Sequence, residues 1–196
     1  MKTKLLMLLV LLGSLWTSNL YAQTRYPKRE FRGAWIQCVN GQFQGMPTEK
    51  MKKVLVSQLD NLQKAGINAI IFQVRAEADA LYKSPYEPWS RFLTGVQGKA
   101  PSPMWDPLQF MIEECHKRNM ELHAWINPYR AKTKGTGALS PMHPYSKNPE
   151  LFVQYAGQLY FDPGLPESRK YICKIVRDIV TRYDCLLYTS PSPRDP

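Results

Sequence analysis

Aromatic and hydrogen-bonding side chains near the ends of apolar segments are the residues best suited to chemistry. Trp35 and Trp125 carry flat rings with one polar edge, which can stack on sugar rings or fill a protein core. Arg75 carries a fixed fork of donors, which suits sugar hydroxyls or an ion pair with Glu77 or Asp79. Trp35, Arg75 and Trp125 are therefore candidate substrate contacts.

A denser polar group follows Trp125. Residues 127–130 read Asn-Pro-Tyr-Arg, so the Asn127 amide, the Tyr129 phenol and the Arg130 guanidinium stand close together in sequence. We add these three to the candidate substrate contacts, with Asp162 as a lesser one. His123 is more typical of a hydrogen-bonded core residue than of a catalyst.

Hydrolysis of a glycosidic bond would need a carboxylic acid together with a nucleophile or base. The carboxylates in long loops are Glu77, Asp79, Glu87 and Asp162, and their spacing pairs no two of them. The sequence has no HExxH motif, no evident Ser/His/Asp or Cys/His arrangement and no cluster of metal ligands. We therefore predict no metal and no organic cofactor, and the catalytic residues stay unassigned.

Three apolar strands alternate with three amphipathic helices, and these elements must position the candidate residues. Strands are predicted at 31–37, 69–75 and 121–127. Thr48 would cap the first helix and Gly66 would end it, while Asp106 and Pro107 would open the second. The third helix, after Pro166, would bury an apolar face made of Ile172, Ile175, Val176, Ile179, Val180 and Tyr183.

The alternation of elements favours a parallel sheet, and the phase of its strands favours a barrel. One strand face, for example Ile70, Phe72 and Val74, is apolar and would pack under helices. The opposite face becomes polar or aromatic toward each C-terminal end, as expected for the mouth of a barrel. An open doubly wound sheet fits less well, because both of its faces would be apolar. We predict an α/β fold, an incomplete (β/α)8 TIM barrel with the first three β/α units only, because a whole barrel takes about 250 residues.

Both ends of the chain are expected to lie outside this domain. Residues 1–22 combine Lys2 and Lys4 with an apolar core and a cleavage site at Ala22, which is typical of a signal peptide. Residues 185–196 resemble the translation of a transposon-type sequencing adapter, and we expect an artefact there rather than a natural Pro/Ser linker. The domain itself would then occupy residues 23–184.

Composition narrows the possible functions. The chain has 196 residues, 44% of them hydrophobic and 21% charged, which is typical of a globular protein and not of a disordered or fibrous one. No apolar run is long enough for a membrane-spanning helix, so we predict no stable membrane insertion after signal cleavage. Export disfavours nucleic acid as a partner, whereas a net charge of +10 suits an anionic polysaccharide. Cys115 and Cys173 fall on apolar helix stripes and are predicted to be small buried hydrophobic residues.

Five segments, in order and at suitable spacing, resemble the glycosyl hydrolase-like family 10 proteins, also called domain of unknown function 187. They are REFRGAW at 29–35, QVR at 73–75, HAWINPYR at 123–130, GQLYFDPG at 157–164 and RYD at 182–184. The similarity extends from about Arg29 to Asp184.

The resemblance implies a TIM-barrel glycoside hydrolase exported to the periplasm or outside the cell. Some members resemble enzymes that act on peptide-free peptidoglycan glycans, so a polysaccharide or peptidoglycan glycan is the expected partner. In the family, the Tyr-Asp pair leads into a fourth strand whose aspartates are the best catalytic candidates. This sequence departs from that pattern at Cys185. We therefore expect a fragment that holds substrate contacts, lacks the catalytic carboxylates, and is inactive and poorly soluble.

Two alternatives stay open. A secreted carbohydrate-binding barrel without catalysis would have the same aromatic and amide groups at its mouth. An exported scaffold domain with a packed mouth would bind no glycan.

Overall fold

The computed structural model describes residues 30–189, so the predicted signal peptide at 1–22 and the tail beyond 189 lie outside the described residues. The described elements, in chain order, are β1 (Gly33–Ile36), α1 (Thr48–Lys64), β2 (Ala69–Arg75), α2 (Arg91–Thr94), α3 (Pro107–His116), β3 (Glu121–Ile126), β4 (Arg130–Lys132), α4 (Pro144–Lys147), a 3-10 turn (Pro149–Leu151), β5 (Phe152–Tyr155), β6 (Gln158–Phe161), α5 (Pro166–Arg182) and β7 (Leu186–Thr189).

The main sheet is parallel, as predicted. Its strands lie in the order β1-β2-β3-β7, and α1, α3 and α5 connect them. The α/β class with a parallel sheet is therefore confirmed. The fourth strand, β7, pairs with β3 and comes from the segment that we expected to be foreign to the domain. Leu186 and Leu187 have the apolar character that a strand at this position needs, which explains why they join the sheet.

The core lies between the sheet and the three long helices. The strand face predicted to be apolar is the one that packs there, and its buried members are Ile36, Ile70, Phe72, Val74, Leu122, Ala124 and Ile126. The helices contribute residues spaced three or four apart, namely Met51, Leu55, Leu59, Leu108, Met111, Ile112, Cys115, Ile175 and Ile179. This packing leaves the opposite face of the sheet to the candidate site.

Helix ends follow the sequence signals with one exception. Asp106 caps α3 by accepting a hydrogen bond from the Gln109 amide at 3.1 Å, and Pro107 occupies the first turn, as predicted. Gly66 follows the end of α1 with a φ of +81°, a conformation that favours glycine. The prediction that Thr48 caps α1 is wrong. Thr48 is already helical, and its hydroxyl points toward the carbonyls of Ser102 and Pro103 at 3.5 Å.

Two residues of α5 lie outside the stripe that we predicted to be buried. Ile172, Ile175 and Ile179 are buried, whereas Cys173 and Val180 are exposed. Each exposed residue follows a buried isoleucine and is therefore rotated about 100° from it around the helix. The predicted burial of Cys173 is thus wrong, while that of Cys115 is confirmed.

A second sheet, which we did not predict, lies within the segment between β3 and α5. It is antiparallel, with the order β4-β6-β5. Ala156 and Gly157 form its tight turn, and both have positive φ, as a two-residue hairpin with a type I′ turn requires. One face of this sheet packs through Phe161 and Phe152 against Ile172 of α5. The segment that leaves β3 is therefore an ordered subdomain rather than an open loop.

No helix in the described part of the chain is long and apolar enough to cross a lipid bilayer.

Candidate functional site

Trp35 and Trp125 meet on the inner face of the sheet, which is the face turned away from the helices. Their ring centroids are 4.7 Å apart and their planes nearly perpendicular, a favourable edge-to-face contact. Trp35 remains 45% exposed. The sheet therefore offers an accessible aromatic surface near the ends of β1 and β3, and the substrate-binding role of these two residues stays a prediction.

Arg75, at the end of β2, ties three segments together. Its Nε and one terminal nitrogen each donate to a carboxylate oxygen of Glu87 at 2.7 Å. Its other terminal nitrogen donates to the carbonyls of Asn127 and Pro128. The side chain is 1% exposed. The ion-pair partner is thus Glu87, not Glu77 or Asp79, and the guanidinium positions the chain that leaves β3. Its predicted contact with substrate stays a prediction.

The residues after β3 are held over the end of β2. The Asn127 amide and the Arg130 Nε both donate to the carbonyl of Ala76, each at 3.2 Å. Asn127 is nearly buried, whereas Tyr129 is exposed and Arg130 is partly exposed. The structure therefore brings Asn127 and Arg130 together at the C-terminal ends of two neighbouring strands.

Glu77 is buried between two long connections, namely the segment that joins β2 to α3 and the segment that joins β3 to α5, and it binds residues of both. Its carboxylate accepts hydrogen bonds from Arg91 (3.0 and 3.3 Å), Thr133 (2.5 Å) and Thr136 (2.9 Å). His143 accepts the Tyr145 amide at Nδ1, so its Nε2 donates to the Glu77 carbonyl at 3.0 Å. Burial alone would raise the pKa of Glu77, but the hydrogen bonds from Arg91 and the threonines outweigh it and lower that pKa.

Asp79 lies fully buried beside Glu77, and its pKa is shifted in the opposite direction. Its carboxylate accepts from the Glu77 amide and from the Gln97 side chain, both at 3.2 Å. Gln97 in turn accepts the Ser140 amide, so this chain of hydrogen bonds also joins the two long connections. Burial and the nearby Glu77 charge raise the pKa of Asp79 to about 6. The two carboxylates therefore have pKa values pushed apart by their surroundings.

The raised pKa of Asp79 predicts that the domain gains stability as the pH falls from 7.5 to 5. A carboxyl whose pKa is higher in the folded state binds its proton more tightly there, so its protonation stabilises the fold. The gain attributable to Asp79 should be about 1 kcal/mol over this range. Denaturant unfolding of wild type and Asp79→Asn at both pH values measures it. The variant should lose this part of the pH dependence, and an identical pH dependence in both proteins would contradict the assignment.

Two buried donors on the inner face lack an acceptor among the described residues. They are Nε2 of Gln73 and Nε1 of Trp125, which are register partners on β2 and β3. Gln73 uses its oxygen to accept the backbone amide of Cys38 at 3.1 Å. Buried donors in proteins are normally paired, so this position fits an acceptor oxygen supplied by a group that packs on the inner face.

Asp162 and His123 are engaged locally. The Asp162 carboxylate accepts the Gly164 amide at 2.8 Å and shapes the turn after β6. His123 lies 3.3 Å from a carboxylate oxygen of Glu121 on its own strand. Neither side chain contacts the Arg75 or Glu77 groups in the hydrogen bonds of the described residues. The predicted contact of Asp162 with substrate stays a prediction.

Several residues of this region were not among our candidates. Arg91, Thr133, Thr136 and His143 take part in the buried network, although they lie 14 to 66 residues from Glu77 in sequence. Glu87 was considered only as a loop carboxylate for catalysis, not as the partner of Arg75. Only the density of carboxylates after β2 hinted at such a network. Within residues 30–189, no three His, Cys, Asp or Glu side chains are grouped so as to hold a metal ion.

Comparison with known proteins places this arrangement in a family. The Glycosyl hydrolase-like 10 family matches residues 30–186. The chain is 46% identical to glycosyl hydrolase YngK of Bacillus subtilis over 162 residues, which cover 80% of the chain and 31% of that protein. It is 33% identical to glycosyl hydrolase DigH of Escherichia coli K12 over 183 residues, which cover 83% of the chain and 41% of that protein. The chain thus spans less than half the length of these relatives.

Solved glycosidase structures share the fold at low sequence identity. A maltogenic α-amylase from Thermotoga neapolitana superposes with a TM-score of 0.55 at 15% identity, covering 85% of this chain and 40% of that one. An α-L-fucosidase from Paenibacillus thiaminolyticus superposes with a TM-score of 0.56 at 14% identity, covering 83% of this chain and 23% of that one. The fold of the described residues is therefore one that glycosidases use. The family match over most of the chain goes further, and the chain belongs to the glycosyl hydrolase-like 10 family.

Proposed function

We propose that this chain is the front part of an exported glycoside hydrolase that cleaves glycans of the cell wall, with peptide-free peptidoglycan glycan as the substrate. Family membership supports the reaction class. The observation that carries the proposal is the inner-face surface of Trp35 and Trp125 beside Asn127 and Arg130, at the strand ends where barrel enzymes bind substrate.

The contacts of the carboxylates near the strand ends support different roles for this segment and for the rest of the enzyme. Glu87 is paired with Arg75, Glu77 with Arg91, and Asp79 is fully buried. Carboxylates held in this way are suited to position loops, because their oxygens are already engaged by neighbouring groups. We therefore propose that this segment holds the sugar and that the reacting pair of carboxylates follows Asp184 in the complete enzyme.

Asn127→Ala in the full-length protein tests this role. Its amide holds the Ala76 carbonyl beside Arg130, so its loss should displace the polar groups at the mouth. We expect kcat/KM for release of reducing ends from peptide-free glycan strands to fall about tenfold or more. The 196-residue chain alone should release none. Lys53→Ala, on the exposed side of α1, is the matched control and should retain wild-type kinetics. Unchanged kinetics in Asn127→Ala would remove this residue from the site.

A non-catalytic carbohydrate-binding barrel is the second candidate. The engagement of Glu77, Asp79 and Glu87 in buried contacts favours it over an enzyme whose reacting groups lie in this segment. A full-length protein that binds glycan strands but never releases reducing ends would favour this reading.

A further inference from the structure

The small antiparallel sheet has two unlike faces. Register pairs Phe152 with Phe161 on one face and Val153 with Tyr160 on the other. The face with Phe152 and Phe161 packs against Ala78 and Ile172, so it is the buried face of this small sheet. The other face therefore points away from the core.

This outer face is aromatic and basic. Register places Arg130 of β4, Tyr160 of β6, and Val153 and Tyr155 of β5 on it. Lys132 follows a bulge in the same edge strand and is partly exposed. Tyr155 is 74% exposed and Val153 is 41% exposed. None of the three strands contains an acidic residue. Such a face combines rings that stack on sugars with charges that attract carboxylates.

The outer face is continuous with the candidate site. Arg130 lies opposite Tyr160 in the sheet, and the same guanidinium reaches the Ala76 carbonyl at the end of β2. The Phe161 amide donates to the Tyr129 carbonyl at 2.8 Å, which fixes the end of β6 beside the chain that leaves β3. A glycan at the strand ends would therefore pass Arg130 before it reached Tyr155.

We propose that the outer face binds a further stretch of an acidic glycan, beyond the sugars held at the strand ends. Tyr155 and Tyr160 stack on sugar rings, and Lys132 pairs with a carboxylate of the glycan. This inference rests on the proposed function for the identity of the glycan, but its test measures binding and not hydrolysis.

Affinity electrophoresis of the full-length protein in gels that contain long peptide-free peptidoglycan glycan strands tests the proposal. Tyr155→Ala should weaken binding about fivefold to tenfold, because an exposed stacking ring is lost. Tyr155→Phe keeps the ring and should bind like wild type. Lys132→Ala should weaken binding a few-fold at low salt, and only to strands whose carboxyl groups have not been chemically reduced.

The controls separate this surface from the hydrolase proposal. Lys53→Ala removes an exposed lysine from α1 and should leave the binding unchanged. Cleavage of a tetrasaccharide, which we expect to be held at the strand ends alone, should be the same in Tyr155→Ala and wild type. A protein that binds the strands through Tyr155 without cleaving any glycan would overturn the hydrolase and support the outer face. Wild-type binding by both Tyr155→Ala and Lys132→Ala would overturn the outer face, whether or not the protein cleaves glycans.

Discussion

Replacing Arg75 with methionine should lower the free energy of unfolding by about 3–5 kcal/mol. The guanidinium is 1% exposed and makes a two-point ion pair with Glu87. Its removal leaves the Glu87 carboxylate buried without a counter-charge and leaves the carbonyls of Asn127 and Pro128 without this donor. Denaturant unfolding of the full-length protein, followed by tryptophan fluorescence, measures the loss.

Two controls make the Arg75 result specific. Lys117→Ala breaks a surface ion pair with Glu114, in which the lysine side chain is 64% exposed, and should cost less than about 1 kcal/mol. The double replacement Arg75→Met with Glu87→Leu removes both charges, so it should cost less than the sum of the single replacements. A loss below about 1 kcal/mol for Arg75→Met alone would show that this ion pair does not hold the loop.

Replacing Glu77 with alanine should cost about 3–5 kcal/mol as well, with its effect concentrated in the two long connections. The carboxylate is the shared acceptor of Arg91, Thr133 and Thr136, so its loss leaves one charge and two hydroxyls without this partner. Hydrogen exchange should accelerate most at residues 91–97 and 130–136, and less in β2 and α1.

Glu77→Gln is the matched variant for this network. The amide retains an oxygen for the threonine hydroxyls but loses the ion pair with Arg91, so it should recover part of the stability. Exchange that accelerates equally over the whole domain in Glu77→Ala would contradict a local role for Glu77.

Three of the four strands of the main sheet, β1, β2 and β3, were predictable because each carries a strong local signal. β2 begins and ends at the predicted residues, since it is a buried apolar run bounded by a glycine-ended helix and a polar loop. The antiparallel sheet was missed because its strands are short and their alternation is interrupted by aromatic residues on both faces. The Ala156-Gly157 turn was the one local signal for it.

The location of the site was predictable, but the partners that its charged residues bind were not. Strand phase placed Trp35 and Trp125 on one face, and the structure brings their rings into contact. The partner of Arg75 was sought among its sequence neighbours, but the chain folds back after β2. The Leu81 amide donates to the Val74 carbonyl, and Ala80 forms a β-bridge with Trp89. These contacts place Glu87 next to the Arg75 guanidinium. A contact of this kind depends on the path of a loop, which local sequence patterns do not encode.

The most direct test of the central claim is to read the gene through codon 184 from independent source DNA. The claim is that residues 23–184 are the front part of a barrel hydrolase whose catalytic carboxylates follow Asp184. We expect the reading frame to continue into a strand that carries aspartates and then into several further β/α units, without the sequence from Cys185 to Pro196. A natural gene that encodes Cys185 to Pro196 and then stops would contradict the claim and favour a natural fragment that binds glycan without cleaving it.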